Sequence, residues 1–255
     1  MELEELMAPC HIVFLPGLFA RGWIWNQVAG ACRQQGHKIT VIEPSIPEVF
    51  MGKLDSAHEM IRECLQLNGG MDNNILVGNS MSGLITLDFA AKYPELVAGV
   101  VISGAPGLEE LEAGVSLSDL RGSVPGAANT LCERVFRDIN RLPKPDYEKG
   151  VADINTIFST NETFKSVVKW LNISRKYDVY GSLKKVRCPI KLIWGDFDQI
   201  TPAESWRSLA FQNDNLDYCE VYDCGHSPML EKPEEFYQLL SGYLLGINRP
   251  LARTA

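Results

Sequence analysis

Residues 73–94 read NNILVGNSMSGLITLDFAAKYP, and the junction in the middle of that stretch decides the fold. Ile75, Leu76 and Val77 form a short apolar run suited to a buried strand. Leu84, Leu87, Phe89, Ala90 and Ala91 then follow a helical period until Tyr93 and Pro94 stop it. Ser80 stands between the two, with Gly78, Ser82 and Gly83 around it. A strand that turns directly into a helix forces strained angles on the corner residue, and bulky groups two positions before or after it would collide. The small residues give the room for such a turn, the pattern of a nucleophile elbow. Ser80 Oγ would then stand at a helix N-terminus, where free N–H groups favour developing negative charge. The string is G-x-S-x-S followed by Gly83 instead of strict G-x-S-x-G, so a catalytic reading requires a partner histidine and an acid.

The same strand-to-helix alternation extends to both sides. A strand at 12–15 ends in Pro16 and Gly17, and a helical stretch at 25–35 ends at Gly36. A strand at 39–42, a helix at 54–67 closed by Gly69 and Gly70, the elbow pair and a strand at 97–103 continue the series. This spacing predicts parallel βαβ units in a doubly wound sheet. After Gly107 the alternation gives way to helical patterns at 129–141, 147–159 and 162–173, broken up by Gly114, Gly122, Pro125, Gly126, Pro143 and Pro145. It resumes with a strand at 190–194, a helix at 203–211, a strand at 218–222 and a helix at 233–245. The expected organisation is an α/β core of residues 1–107 and 183–255, carrying residues 108–182 as a helical cap, a lid with mobile joints.

Composition narrows the class. A chain of 255 residues that is 45% hydrophobic can bury a substantial core. Lys and Arg total 24 against 32 Asp and Glu, a net charge of −8 with no basic cluster among aromatics, which excludes nucleic acid as a partner. The acidic start MELEELMAP argues against a secretory signal, and no apolar run reaches the ~18–20 residues of a membrane span. Seven cysteines without C-x-x-C spacing suggest neither a zinc site nor a disulfide framework, and fit a reducing, cytoplasmic setting. We expect a soluble protein with a small-molecule substrate, no membrane partner, no metal and no cofactor.

Of four histidines, His226 lies in a Gly-rich loop after a predicted strand, EVYDCGHSPMLEKPEEF, and is the natural base. Such loops gather at the ligand-binding edge of open α/β sheets. His11 opens a strand, His37 sits in a turn, and His58 falls on a surface helix; structural or solvent roles are expected for all three. The acid must hold the imidazole by its other nitrogen. KLIWGDFDQITP offers Asp196 and Asp198; the tight turn at Gly195 makes Asp196 a turn residue and leaves Asp198 as the choice. Glu109 or Glu110, after the preceding strand, is a third option.

The order Ser80, Asp198, His226 is one of three convergent triad orders. With LPGL at 15–18, GNSMSG at 78–83, WGDFDQITP at 194–202 and GHSPMLEKPEEF at 225–236, the chain resembles the α/β-hydrolase superfamily along nearly its whole length. The resemblance implies a triad of Ser80, Asp198 and His226. It also implies an oxyanion hole made by the backbone N–H groups of Leu18 and Met81, and a cap inserted after the family's sixth strand. The GNSM wording is similar to carbon–carbon bond hydrolases acting on ring-cleavage products. Two departures stand out. Pro16-Gly17 replaces the family's usual His-Gly, removing a histidine contact behind the oxyanion hole. The chain also begins almost at the first core strand, so a sheet of about six strands lacking the N-terminal hairpin is expected.

This constellation predicts a serine hydrolase of a small, apolar ester, thioester or lactone. The alternatives are carbon–carbon cleavage or a lyase or cyclase step with the same residues, or a ligand receptor with incidental hydrolysis. Phe19, Trp23, Trp25, Phe136, Phe158, Phe164 and Trp170 are available to line a pocket, although aromatics at helical spacing are more often core. Arg134, Arg137 and Arg141 fall on one helical face, as a solvated surface or as partners for a substrate carboxylate.

Overall fold

The computed structural model describes residues 9–66, 73–109 and 113–247. Gly69, Gly70 and Glu110 lie outside the described residues. Among the described residues six strands form the sheet: β1 (His11–Leu15), β2 (Lys38–Val41), β3 (Asn74–Asn79), β4 (Gly99–Ser103), β5 (Ile190–Gly195) and β6 (Leu216–Val221). Their order is β2-β1-β3-β4-β5-β6, and every pairing is parallel. This is the α/β-hydrolase fold anticipated from the sequence, with no antiparallel strand among the described residues. Strand order reverses between β1 and β3, the place where open α/β sheets leave a crevice at their carboxyl ends. Leu15 pairs with Gly78 and Asn79 with Ser103, so the loops after β1, β3 and β4 leave the sheet side by side.

The central strands β1, β3 and β4 are largely apolar because both faces of the sheet are covered there. Val13, Leu15, Leu76, Val100 and Ile102 enter one core; Ile12, Phe14, Ile75, Val77 and Val101 enter the other. Each such fully buried side chain contributes about 1.5–3 kcal/mol. Helices Leu54–Gln66 and Met81–Lys92 cover the first face. Asn26–Gln34 and Pro233–Ile247 cover the second. Among the described residues, five α-helices and no strand lie between β4 and β5: Leu117–Arg121, Ala127–Arg134, Lys144–Ser159, Asn161–Lys176 and Val179–Leu183. They add Leu131, Ile157, Val167 and Trp170 to the first core, which explains why the Met81–Lys92 helix is buried on nearly all sides. None of the described helices is long and apolar enough to cross a membrane.

Three expectations need correction. The stretch 129–141 is not one helix: Ala127–Arg134 ends in a turn, and a 3-10 segment follows at Ile139–Arg141. The backbone of that turn bonds elsewhere, with the Val135 carbonyl accepting from His226 N–H at 2.8 Å and the N–H groups of Arg137 and Asp138 donating to Glu231. Arg134, Arg137 and Arg141 therefore share no helical face. His58 is buried rather than on the surface, its Nε2 3.0 Å from Asp88 Oδ2 and its ring edge-on to Phe89 and Tyr93. Its helix presents Ala57, His58, Ile61 and Leu65 to the core. The stretch expected to be helical from residue 25 begins as a 3-10 turn, Gly22–Trp25, with the α-helix starting at Asn26.

Candidate active site

Ser80 joins β3 to the Met81–Lys92 helix with φ 55° and ψ −124°, a conformation that L-residues rarely adopt and that persists only where surrounding structure imposes it. Its N–H donates to the Ser103 carbonyl at 2.7 Å, and its own carbonyl accepts from Gly83 N–H at 2.8 Å, so both sides of the corner are held. A Cβ on Gly78 would meet the Ser82 carbonyl oxygen at 2.4 Å, which gives the smallness read from the sequence its physical reason. Met81 opens the helix, where an N–H has no intrahelical acceptor.

His226 and Asp198 are brought together from loops after β6 and β5. His226 Nδ1 lies 2.8 Å from Asp198 Oδ2, and both residues are buried. Asp198 Oδ1 accepts from the N–H groups of Ile200 and Thr201, each at 2.9 Å, so the carboxylate is held in one orientation. Asp196 is exposed and its Oδ1 accepts from Cys224 N–H at 3.1 Å, the turn role expected for it. Glu109 Oε1 accepts from Ser205 N–H and is not part of the His226 pairing. Gly104, with φ +64°, allows this packing, because a Cβ there would meet His226 Cε1 at 2.6 Å. Thr201 was not singled out in the sequence, yet its Oγ1 lies 2.9 Å from both Asp198 Oδ2 and the Gly104 carbonyl, and 3.1 Å from His226 Nδ1. Its single proton serves one acceptor at a time.

Glu231 also escaped the sequence reading, although it stands within the quoted GHSPMLEKPEEF motif. Buried at the end of a short helix, Pro228–Glu231, its carboxylate accepts from the N–H groups of Gly225, Arg137 and Asp138 at 2.6, 3.0 and 3.1 Å. With the His226 N–H bond to Val135, it fastens the histidine loop to the turn after the Ala127–Arg134 helix. Arg137 and Arg141 add ion pairs to Asp223. Glu231→Ala would strand the buried Gly225 N–H at ~1–3 kcal/mol and release the N–H groups of Arg137 and Asp138, which lie nearer to water. A loss of about 1–3 kcal/mol in urea unfolding is expected, with activity falling in the fraction that remains folded.

Ser80, His226, Leu18 and Met81 line one cavity of about 1220 Å³, larger than the ~300–1,000 Å³ of most small-ligand sites. Much of its wall is apolar, including Leu108, Val115, Leu120, Leu131 and Leu171 from the β4–β5 connection. Among the aromatics proposed for a pocket, Phe19, Trp23 and Phe136 line it, whereas Trp25, Phe158, Phe164 and Trp170 do not. Trp25 instead packs on Phe14 and Phe236 in the second core. Of the three arginines only Arg134 reaches the cavity. Trp23 Nε1–H donates to Asp153 Oδ2 at 2.8 Å, and Arg21 Nε lies 3.1 Å from the same carboxylate, forming a polar corner. Burial pushes the Cys132 thiol in the wall up to about 12, so it stays protonated and non-nucleophilic near neutrality.

Residues 12–239 match the model of the alpha/beta hydrolase family, and the chain belongs to that family. Monoacylglycerol lipase ABHD6 of Homo sapiens is 24% identical, over 93% of this chain and 76% of its own length. The 2-hydroxy-6-oxononadienedioate/2-hydroxy-6-oxononatrienedioate hydrolase of Paraburkholderia phymatum is 25% identical, over 69% of this chain and 63% of its own length. Among solved structures, the esterase EaEST from Exiguobacterium antarcticum is similar with a TM-score of 0.77 at 16% identity, covering 93% of this chain and 92% of its own.

Proposed function

We propose that the protein is a serine hydrolase that cleaves an ester with an extended apolar acyl part through an acyl-enzyme. The observation that carries this reading is that Ser80, with its positive φ, and His226, paired behind with Asp198, line one large, mostly apolar cavity. In the proposed reaction His226 Nε2 takes the Ser80 Oγ proton as that oxygen attacks the ester carbonyl. Asp198 keeps Nδ1–H pointed away from the substrate and balances the imidazolium. The N–H groups of Leu18 and Met81 receive the oxyanion; one such donor is worth on the order of 10² to 10³ in rate in other serine hydrolases. His226 then returns the proton to the departing alcohol, and water, activated by the same imidazole, releases the acid. Residues 108–182 serve as the cap that shapes the acyl end of the cavity.

Two features support the acyl preference. The β4–β5 connection contributes aliphatic wall residues, and one relative is a monoacylglycerol lipase, a class whose substrates carry a single acyl chain. A buried methylene is worth ~0.8 kcal/mol, so kcat/KM for p-nitrophenyl esters should climb from acetate to octanoate by at least about tenfold. A flat or falling series would overturn the apolar-acyl assignment. The similarity to a hydrolase of the oxononadienedioate class favours carbon–carbon cleavage as the second reading. Turnover of a vinylogous 1,5-diketone far above that of the best ester would establish it instead.

A further inference from the structure

Pro16 and Ser82, each of which departs from a family motif, meet in one hydrogen bond. Ser82 is fully buried, and its Oγ donates to the Pro16 carbonyl at 2.5 Å. The family pattern has glycine at the second position after the nucleophile, which could make no such bond, and histidine where Pro16 stands. The geometry points to Ser82 as a positioning residue that fixes the spacing of the oxyanion hole, an assignment that rests on the hydrolase reading above.

The bond joins the two strips of chain that carry the proposed donors. Met81 immediately precedes Ser82 on the elbow helix, and Leu18 is two residues beyond Pro16 in the loop after β1. Gly17 lies between tether and donor, and its backbone is pressed onto the nucleophile: a Cβ there would meet Asn79 Oδ1 at 2.9 Å and Ser80 Cβ at 3.3 Å. Glycine permits that approach and also leaves the loop conformationally free. A carbonyl anchored one residue earlier restrains the direction in which the Leu18 N–H points. The hydroxyl at position 82 thus takes over the bracing of the loop that the histidine contact would otherwise provide. Donors in an oxyanion hole stabilise the transition state only when fixed beforehand at the place where charge develops.

Ser82→Ala and Ser82→Gly both remove the tether, and the glycine variant restores the family's residue at that site. The test compares their kcat and KM on a p-nitrophenyl ester, and their affinities for an alkyl trifluoromethyl ketone and the matching methyl ketone. The trifluoromethyl ketone forms a tetrahedral adduct whose oxyanion occupies the hole; the methyl ketone reports ground-state binding. Both variants should lose about 10-fold to 100-fold in kcat, less than outright removal of a donor. KM should stay within twofold, trifluoromethyl ketone affinity should weaken in parallel with kcat, and methyl ketone affinity should hold. Ser82→Cys, which keeps the side chain close to its size but offers only a weak donor, should lose nearly as much as Ser82→Ala, an effect that a packing role alone would not produce. The inference is overturned if kcat in the Ala and Gly variants stays within twofold of wild type, or if both ketones weaken equally. If the wild-type protein neither turns over an ester nor binds the trifluoromethyl ketone, the hydrolase reading fails as well. If wild type does both and the variants match it, only the role of Ser82 fails.

Discussion

Ser80→Ala is expected to lower ester turnover by about 10⁶-fold, the scale seen when the nucleophile of a serine hydrolase is removed, while the protein stays folded. The backbone bonds that hold the corner use the Ser80 N–H and carbonyl, not its side chain, so alanine keeps them. Alanine also carries the same Cβ as serine, and φ 55° is no worse for it. Stability in urea should therefore change by less than about 1 kcal/mol. Near-total loss of activity at nearly constant stability separates a chemical role from a structural one. Residual turnover within 100-fold of wild type would remove Ser80 from the mechanism.

The second large effect distinguishes two aspartates in the same loop. Asp198→Asn should cost about 10⁴-fold in kcat, because the amide can offer His226 Nδ1 a donor and so stabilise the wrong tautomer. The substitution preserves size, and the contacts of Oδ1 with the Ile200 and Thr201 N–H groups can persist through the amide oxygen. Asp196→Asn should leave kcat within about threefold and cost at most ~1 kcal/mol of stability, since its bond is a single cap to Cys224 N–H on an exposed turn. Equal losses at both positions would contradict the assignment of the acid.

The order of the strands' appearance and the elbow were legible because their causes are local. A strand buried on both faces is apolar along most of its length, and Ile75–Val77 and Val100–Ile102 declare it; a sharp strand-to-helix corner must be flanked by small residues, as Gly78 and Gly83 declare. His226 and Asp198 were legible as polar residues on loops after such strands. What sequence could not reveal depends on partners far along the chain. The helix expected across 129–141 breaks because Val135, Arg137 and Asp138 bond to His226 and Glu231, roughly ninety positions away. Thr201 and Glu231 look like ordinary polar residues beside a proline or before one, and only the fold shows what their oxygens hold. His58 reads as a polar residue on an amphipathic helix until Asp88 is placed opposite it. Ser82 reads as merely small, and the use of its hydroxyl depends on the Pro16 carbonyl, 66 positions away in sequence and 2.5 Å away in the fold.

The central claim is that Ser80 is an activated nucleophile, and covalent labelling tests it most directly. Incubating the wild-type protein with an alkyl fluorophosphonate and reading intact mass, then mapping the modified peptide, should give one adduct per chain, located on Ser80. Ser80→Ala should remain unlabelled, and Asp198→Asn should label far more slowly. A folded wild-type protein that takes up no label, or carries it equally in Ser80→Ala, would contradict the account.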